Sequence, residues 1–299
     1  MSDRLQELVA FVRTAECGSF SQASRELGLS QPSISRIISQ LEARLGVKLL
    51  LRTTRRVEPT AAGRTFLERA RQVLQDLEAA EDAARDADTL RGQLRVAMPV
   101  TFGLRAVLPA LAPFARQHAR LRLEIVMSDD RHDLIAVGAD VAIRVGNLDD
   151  SGFGARKIST LQRYTIAAPA YVALRGAPRT PAELRGHDLV FGPGSAARRT
   201  WAFERDGATT SVEVSARTCV DTGEGMMVCV RAGLGIAIAS DIMCRNDLAA
   251  GAVVPLLPGY SLAPLGIYAV FPGGPRPSRK VSALVDHLRV ALQVAASVT

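Results

Sequence analysis

The stretch SQPSISRIISQLE (Ser30–Glu42) decides the N-terminal fold, because it combines a helical pattern with residues that disfavour helices. Its apolar residues recur three or four positions apart, as on one face of an amphipathic helix. The other positions include four serines, a proline and an arginine. Serine competes for backbone hydrogen bonds and proline lacks an N–H, so both are poor in helix interiors. The polar face therefore needs a reason other than helix stability. We expect the buried stripe to consist of Ile34, Ile37, Ile38, Leu41 and Leu45.

A helix-turn-helix supplies that reason. Ser19–Leu27 predicts a short helix and Gly28 a tight turn; Ser30 is expected to cap the next helix, and Gly46 to end it. In a helix-turn-helix the second helix enters the major groove of DNA. Small serines allow close approach to the groove, while Gln31 and Arg36 are long enough to reach base edges.

A basic ribbon follows this helix. Apolar residues at Val47–Leu51 and Val57 flank the polar tip Arg52–Arg56, a pattern that predicts a small β-wing. Between Gln31 and Thr60, six basic residues stand against two acids, so this short segment holds more than half of the net charge of +7. Such a patch suits the phosphates of DNA, although alone it fits a solvated ribbon equally well.

A long helix is predicted after Pro59, because no helix breaker occurs between Gly63 and Gly92. Its apolar residues are spaced alternately by four and three positions, the period of a helix that pairs with a partner helix. A helix lying on its own domain is the alternative, but its stripe is usually wider. We therefore expect a dimer. The expected dimer seam consists of Phe66, Ala70, Val73, Leu77, Ala80 and Ala84.

From Gln93 onward, strands alternate with helices. This alternation predicts an α/β fold, which we expect to contain a mostly parallel sheet covered on both sides. The region from 92 to 299 is long for one sheet, so two subdomains with a cleft between them are expected.

Several classes of protein are disfavoured by what the sequence lacks. No run of about 18 apolar residues predicts a membrane span, and the acidic N-terminus does not resemble a signal peptide. The four cysteines match no zinc spacing, so no metal site is expected. The motifs of phosphate-binding loops, serine hydrolases and zinc proteases are missing, which argues against an enzyme. A solute-binding protein is the remaining alternative, but it would need a signal peptide and no helix-turn-helix.

Residues 4–60 resemble the winged helix-turn-helix of LysR-type transcriptional regulators. The run S-Q-P-S-I-S-R-x-I-x-x-L-E-x-x-L-G-V-x-L-L-x-R-T and the later P-T-x-A-G carry this resemblance. The rest of the chain resembles the family's effector domain more loosely, through a D-x-x-D-L-x-x-x-G-x-D-x-A-I-R segment. The matching residues of that segment are Asp130, Asp133, Leu134, Gly138, Asp140, Ala142, Ile143 and Arg144.

The resemblance implies a domain organisation. It assigns 1–60 to a winged helix-turn-helix, 61–91 to a linker and dimerisation helix, and 92–299 to an α/β effector domain like periplasmic binding proteins. Subdomain I is expected at about 92–162 and 265–299, and subdomain II at about 163–264.

The resemblance also implies partners and a location. These are double-stranded DNA with a dyad operator, a second copy of the chain (a dimer, or a tetramer of two dimers) and RNA polymerase, in the cytoplasm and without a membrane. No cofactor is implied beyond a small-molecule effector. The family's DNA contacts carry over to Gln31, Pro32, Ser33, Ser35 and Arg36 on the helix, and to Arg52, Thr53 and Arg55 on the wing.

The effector cleft is expected where strands meet helices. The corner at Pro99–Phe102 precedes a helix, so Thr101 and free backbone N–H groups could hold an anion there. Thr101 could instead be only a helix cap, Trp201 core, and Asp221 the cap of its own helix. By corner or by resemblance, the expected lining is Thr101, Phe102, Ser128, Arg144, Thr200, Trp201, Asp221 and Thr222.

Arg144 lies on a strand whose neighbouring residues are apolar, so its guanidinium needs a partner. Asp133 or Asp140 could pair with it, or it could bind an acidic effector; the sequence leaves both open. A small organic acid is therefore the hypothesis for the effector.

Overall fold

The computed structural model describes residues 4–52, 57–83, 90–129, 138–146, 154–194, 200–271 and 277–297. Within these ranges the expected winged helix-turn-helix, long helix and two-part α/β region are all present. The N-terminal elements are α1 (Arg4–Cys17), α2 (Phe20–Leu27), α3 (Gln31–Leu45), β1 (Leu50–Arg52), β2 (Val57–Pro59) and α4 (Ala61–Ala83).

Helix α3 begins and ends where the sequence predicts. The hydroxyl of Ser30 caps it by accepting from the backbone N–H of Ser33, and Gly46 ends it in a left-handed conformation at φ 69°. Its stripe of isoleucines and Leu41 is buried in the N-terminal core, where α3 packs against α1 and α2. The expectation for Leu45 is wrong, because this side chain is 38% exposed beside the terminal glycine.

A buried carboxylate joins α3 to the wing. One oxygen of Glu42 accepts hydrogen bonds from the backbone N–H groups of Leu49 (2.9 Å) and Leu50 (3.1 Å), and the other contacts Lys48 Nζ at 2.5 Å. Burial alone would raise the pKa of Glu42, but these three donors outweigh it and lower the pKa. The carboxylate therefore remains ionised and fixes the chain that enters β1.

The start of α4 is fixed on the same segment. The hydroxyl of Thr60 donates to the carbonyl of Lys48 (2.8 Å) and accepts from the backbone N–H of Gly63 (2.9 Å). A Cβ atom at Gly63 would lie 2.0 Å from the carbonyl oxygen of Leu49, so only glycine fits. These contacts give a physical reason for the threonine and the glycine of the P-T-x-A-G sequence.

The expected seam on α4 divides into two parts. Phe66 packs edge-on against Phe11 at 5.2 Å, and Ala70 is only 2% exposed within a single chain. The expectation that Ala70 faces a partner is therefore corrected, because the core of its own chain already covers it. Phe66 is half-buried against that core, and its contact with a partner stays a prediction. Further along, Val73 is 51% and Leu77 38% exposed, and Ala80 is also exposed. Ala84 lies outside the described residues.

The α/β region continues the chain from β3 to α10. The strands are β3 (Gly92–Met98), β4 (Leu121–Met127), β5 (Val141–Val145), β6 (Gly154–Leu161), β7 (Arg163–Ala167), β8 (Val190–Phe191), β9 (Thr200–Arg205), β10 (Ala208–Glu213), β11 (Thr218–Cys219), β12 (Ala237–Ser240), β13 (Val254–Leu256) and β14 (Leu265–Phe271). The helices are α5 (Val100–Phe102), α6 (Leu108–Gln117), α7 (Pro169–Arg175), α8 (Gly223–Arg231), α9 (Asp241–Ala249) and α10 (Arg279–Ser297), with a π-helical turn at Gly103–Val107 and a 3-10 helix at Pro181–Gly186.

The first core lies around a five-stranded sheet in the order β4-β3-β5-β14-β6. It draws residues from both ends of the region, from Leu90 to Leu161 and from Ile267 to Leu292. The second core lies around the sheet β12-β7-β13 and takes only residues between them in sequence. We call the part of the chain around the first core the first body, and the part around the β7 sheet the second body. The chain leaves the first body after β6 and returns to it at β14.

The expectation of a mostly parallel sheet is wrong. Strand β3 is parallel to β4 and β5, but β14 pairs antiparallel with both β5 and β6, and every pair in the β7 sheet is antiparallel. The returning strand explains the difference, because β14 enters the first sheet from the second body rather than through a β-α-β crossover.

The described residues contain neither a membrane-spanning helix nor a metal-binding cluster. No helix there combines the length and apolar character that crossing a bilayer requires. Nor does any group of histidine, cysteine and acidic side chains in those residues have the arrangement of a metal site.

We predict that Glu42→Gln loosens the link between α3 and the wing. The change weakens two charge-assisted hydrogen bonds and should lower the free energy of unfolding by about 1–3 kcal/mol. Hydrogen–deuterium exchange on the full-length chain should show faster exchange at Leu49 and Leu50. Because the pKa of Glu42 is lowered in the folded state, its ionised carboxylate stabilises the fold fully at pH values above the ordinary pKa of 4.5. This stabilisation is lost as the pH falls below 4.5 and the carboxylate is protonated.

The control is Glu58→Gln, a change at an exposed carboxylate on β2. It should leave exchange at Leu49 and Leu50 unchanged. Equal exchange in wild type and Glu42→Gln would show that this carboxylate does not fix the segment.

Candidate functional site

The polar face of α3 is open to solvent. Gln31, Pro32 and Arg36 are exposed, whereas Ser33 and Ser35 are half-buried. The hydroxyl of Ser21, on α2, donates to the side-chain carbonyl of Gln31 at 3.1 Å. Helix α3 therefore presents one long cation and one long amide beside small side chains, on the face opposite its buried isoleucines.

The turn before α3 and the wing after it place this face. Gly28 adopts φ 64° in the turn, and β1 pairs antiparallel with β2 from Leu50–Pro59 to Arg52–Val57. Arg52 ends β1, and the predicted wing residues Thr53 and Arg55 lie outside the described residues. The segment that Glu42 holds connects the end of α3 to the start of the wing. It therefore fixes the position of the wing beside the exposed face of α3.

A second site lies in the α/β region, as a cavity of about 380 Å³. This volume is within the range of small-molecule binding sites. Its wall includes residues from both bodies, and six of the predicted cleft residues are among them. These six are Thr101, Phe102, Ser128, Arg144, Thr200 and Trp201.

Asp221 and Thr222 were predicted to line the cavity, but neither is part of its wall. The start of α8 contributes Gly223 instead. Thr222 instead caps α8, since its hydroxyl accepts from the backbone N–H of Gly225 at 3.1 Å. Asp221 is exposed and is not the cap that the alternative assigned to it. The side chain that sequence reasoning assigned to the ligand is thus used by the helix itself.

The anion site expected at Pro99–Phe102 is already occupied by a protein carboxylate. Asp129 Oδ1 accepts from the backbone N–H of Val100 at 2.9 Å, at the start of α5. Thr101 is not the cap of this helix, because Pro99 holds the cap position. This corner is therefore negatively charged. Sequence reasoning missed Asp129, although it directly follows Ser128 beyond the end of β4.

Arg144 lines the cavity near the end of β5. Asp140 precedes the other end of that strand, and its carboxylate accepts from the backbone N–H of Arg95 at 2.7 Å. Burial raises the pKa of Asp140. Asp133, the other acid considered for Arg144, lies outside the described residues. Pairing of Arg144 with an acid of the protein or of an effector therefore stays a prediction, and the residue lines the same cavity as Asp129.

Part of the apolar wall comes from a β-hairpin, which the Asp-Gly pair at 206 and 207 signals in the sequence. Strands β9 and β10 pair across a turn at Asp206 and Gly207, both with positive φ, as the Asp-Gly dipeptide predicts. Alternation along β9 turns Trp201 inward, where it is 7% exposed and its ring lies 5.7 Å from that of Phe191. Trp201 is thus both core and cavity wall, so the two alternatives were not exclusive.

An ion pair joins the two bodies beside the cavity. Arg105, in the π-helical turn, contacts Glu224 of α8 through two hydrogen bonds of 2.7 and 2.9 Å and donates to the carbonyl of Met243 at 2.7 Å. These hydrogen bonds, opposed by burial, hold the pKa of Glu224 below its ordinary value. A π-helical turn displaces side chains relative to a regular helix, and such turns are frequent at functional sites.

Comparison with known families gives two matches that together cover most of the chain. Residues 5–64 match the family model described as "Bacterial regulatory helix-turn-helix protein, lysR family", and residues 87–293 match "LysR substrate binding domain".

Individual proteins are similar over nearly the whole length. The transcriptional regulator CrgA of Neisseria meningitidis is 35% identical over 258 residues, with 86% of each chain covered. The solved structure of CrgA from that species has a TM-score of 0.57 at 33% identity, covering 97% of this chain and 96% of that one. Full-length AphB, a virulence activator of Vibrio cholerae, has a TM-score of 0.59 at 26% identity, with 95% and 98% covered.

We predict that Arg105 and Glu224 are energetically coupled. Arg105→Gln and Glu224→Gln should each lower the free energy of unfolding in urea, and the double variant should be more stable than additivity requires by about 1 kcal/mol. The pair Arg156–Asp286, which is 2.8 Å apart but 41% and 52% exposed, provides the control. It should show little coupling. Additive effects at Arg105 and Glu224 would mean that the pair does not hold the two bodies together.

Proposed function

The chain belongs to the LysR family of bacterial transcriptional regulators, and from this premise we propose which residues bind DNA, how the chain pairs and what occupies its cleft. It is a DNA-binding transcriptional regulator with an N-terminal helix-turn-helix domain and a C-terminal effector-binding domain. We propose the domain limits 1–60, 61–91 and 92–299, with a cytoplasmic location, no catalytic activity and RNA polymerase as a further partner.

The proposed DNA-binding surface is the polar face of α3, and its exposure opposite the buried stripe is the observation that carries the proposal. Arg36 is the proposed base-reading residue, because a guanidinium can bind guanine through two hydrogen bonds. Gln31 suits adenine, and its contact with Ser21 fixes its starting position. The remaining contacts are proposed for Pro32, Ser33 and Ser35 on α3 and for Arg52, Thr53 and Arg55 on the wing.

The proposed dimer forms through the outer part of α4. Val73 and Leu77 leave large apolar side chains exposed one turn apart on the same face. Isolated exposed apolar residues are common, but a pair at heptad spacing is typical of helix pairing. Two copies would present two α3 helices to a DNA site with a dyad.

The proposed effector is a small organic acid bound in the cavity. Arg144 and Arg163 supply positive charge in its wall, and Phe191 and Trp201 supply apolar surface. A carboxylate is a suitable partner for a guanidinium in such a setting, because charge-assisted hydrogen bonds are strong where water is partly excluded.

We predict that Arg36→Ala weakens binding to a dyad located in the DNA that flanks the coding region by about 1–3 kcal/mol and relaxes discrimination at one base pair of each half-site. Fluorescence anisotropy with point-substituted sites measures both effects. Arg55→Ala should instead weaken all sequences alike, as expected of a phosphate contact. Arg120→Ala, at an exposed position far along the chain, is the control and should change neither. Unaltered discrimination in Arg36→Ala would exclude this residue as the base reader.

We predict that the double variant Val73→Glu, Leu77→Glu is monomeric, because the new charges would repel across the seam and lose the apolar contact. Sedimentation velocity of the full-length chain measures this. Leu174→Glu, at a position that is 81% exposed on α7, applies the same change outside the seam and should leave the dimer intact. A dimer that survives the double variant would place the interface elsewhere.

A further inference from the structure

Two polar atoms in the cavity wall have unmet hydrogen bonds. Within the described parts of the chain, neither Thr101 Oγ1 nor Asp129 Oδ2 has a hydrogen-bond partner, and both atoms are buried. Thr101 as a whole is only 5% exposed. A buried polar atom without a partner costs about 1–3 kcal/mol, so two beside one cavity indicate that a bound molecule completes them.

The chemistry of Asp129 defines what that molecule must offer. The backbone N–H of Val100 donates to its Oδ1, so the carboxylate cannot turn away without leaving this N–H at the start of α5 without its acceptor. An ionised carboxylate oxygen only accepts hydrogen bonds. The remaining oxygen, Oδ2, therefore requires a donor, and its negative charge repels the carboxylate of an acid. The acid group of the effector belongs elsewhere in the cavity.

Thr101 directly follows Val100, the residue to which Asp129 is bonded, and its hydroxyl packs against Gly223. A Cβ atom at Gly223 would lie 2.5 Å from Thr101 Oγ1, so only glycine at the start of α8 leaves the hydroxyl its space. A hydroxyl can accept from a donor or donate to a lone pair. An amino or hydroxyl group placed here could therefore bond to both Asp129 and Thr101.

Two arginines supply positive charge elsewhere in the cavity, whose wall also includes the carboxylate of Glu204. Arg144 and Arg163 line the same cavity, and Arg163 is positioned by a 2.7 Å hydrogen bond from its Nε to the carbonyl of Ala263. Phe191 and Trp201 form an aromatic wall. The site thus combines a basic part, an apolar part and an acceptor corner.

We propose that the effector carries a hydrogen-bond donor, an amino or hydroxyl group, that is bound by Asp129 Oδ2 and Thr101 Oγ1. This inference rests on the proposed function of the cavity as a site for a small organic acid. Among such acids, the protein then selects amino or hydroxy acids over the unsubstituted parent compounds.

The test compares matched probes by titration calorimetry on the full-length chain. Because the wall is aromatic, the probes are benzoate, meta-hydroxybenzoate and meta-aminobenzoate, with phenol and aniline as donors that lack the acid. A second series without a ring consists of propionate, lactate and alanine. Within a series, the donor-bearing acid should bind about tenfold or more tightly than its parent, the equivalent of ~1.4 kcal/mol.

Two substitutions assign the preference to the corner. Asp129→Asn keeps an oxygen that can accept from Val100 but puts an N–H in the place of Oδ2. This change should therefore abolish or reverse the preference for a donor. Thr101→Val should weaken the donor-bearing acid and raise the melting temperature of the ligand-free protein, because it removes an unmet polar atom. Glu204→Gln, which removes a negative charge from the same cavity, should retain the preference.

Each result decides the proposal. A parent acid that binds as tightly as its donor-bearing partners would overturn the donor inference but retain the acid site, as Arg144→Ala would show by weakening every acid. Preference that survives Asp129→Asn, or a lower melting temperature in Thr101→Val, would also overturn it. Binding of phenol or aniline that depends on Asp129, without binding of any acid, would retain the donor and reject the acid. No binding by either series at millimolar concentration would reject both.

Discussion

The backbone from Lys48 to Leu50 is the constraint on which the N-terminal domain depends. Glu42 binds this segment from the side of α3, and Thr60 and Gly63 bind it from the side of α4. A single short stretch therefore sets the position of the reading helix, the wing and the long helix relative to one another. Because Gly63 leaves no room for any side chain against Leu49, the geometry tolerates little variation.

Local signals were enough to predict this domain but not the α/β region. Ser30 and Gly46 delimit α3 because caps act on the residues beside them, so sequence reasoning can find them. The direction of β14 depends on where the chain goes between β6 and β14, which no local pattern encodes. Leu45 and Ala70 were wrongly placed for a related reason, since the periodicity of a helix does not say which neighbour covers each face.

The cleft shows the same limit in its chemistry. Sequence reasoning found Thr101 and Arg144, because a strand-to-helix corner and a lone arginine in an apolar strand are visible in the sequence. It did not find that Asp129 fills the anion position, because the bond to Val100 joins residues 29 positions apart in sequence. That one contact changes the expected ligand from a simple anion to a molecule with a donor as well as an acid.

The position of the corner explains how its occupation could affect the rest of the chain. Thr101 of α5 packs directly against Gly223 of α8, so a molecule bound at this corner lies where the two bodies meet, near the Arg105–Glu224 pair that joins them. The strand that leads into α5 is β3, and Gln93 near its beginning accepts a 3.1 Å hydrogen bond from Arg13 of α1. The cleft and the DNA-binding domain are thus at opposite ends of one buried strand. A change in the angle between the two bodies that moved β3 would therefore act directly on the contact between Gln93 and Arg13.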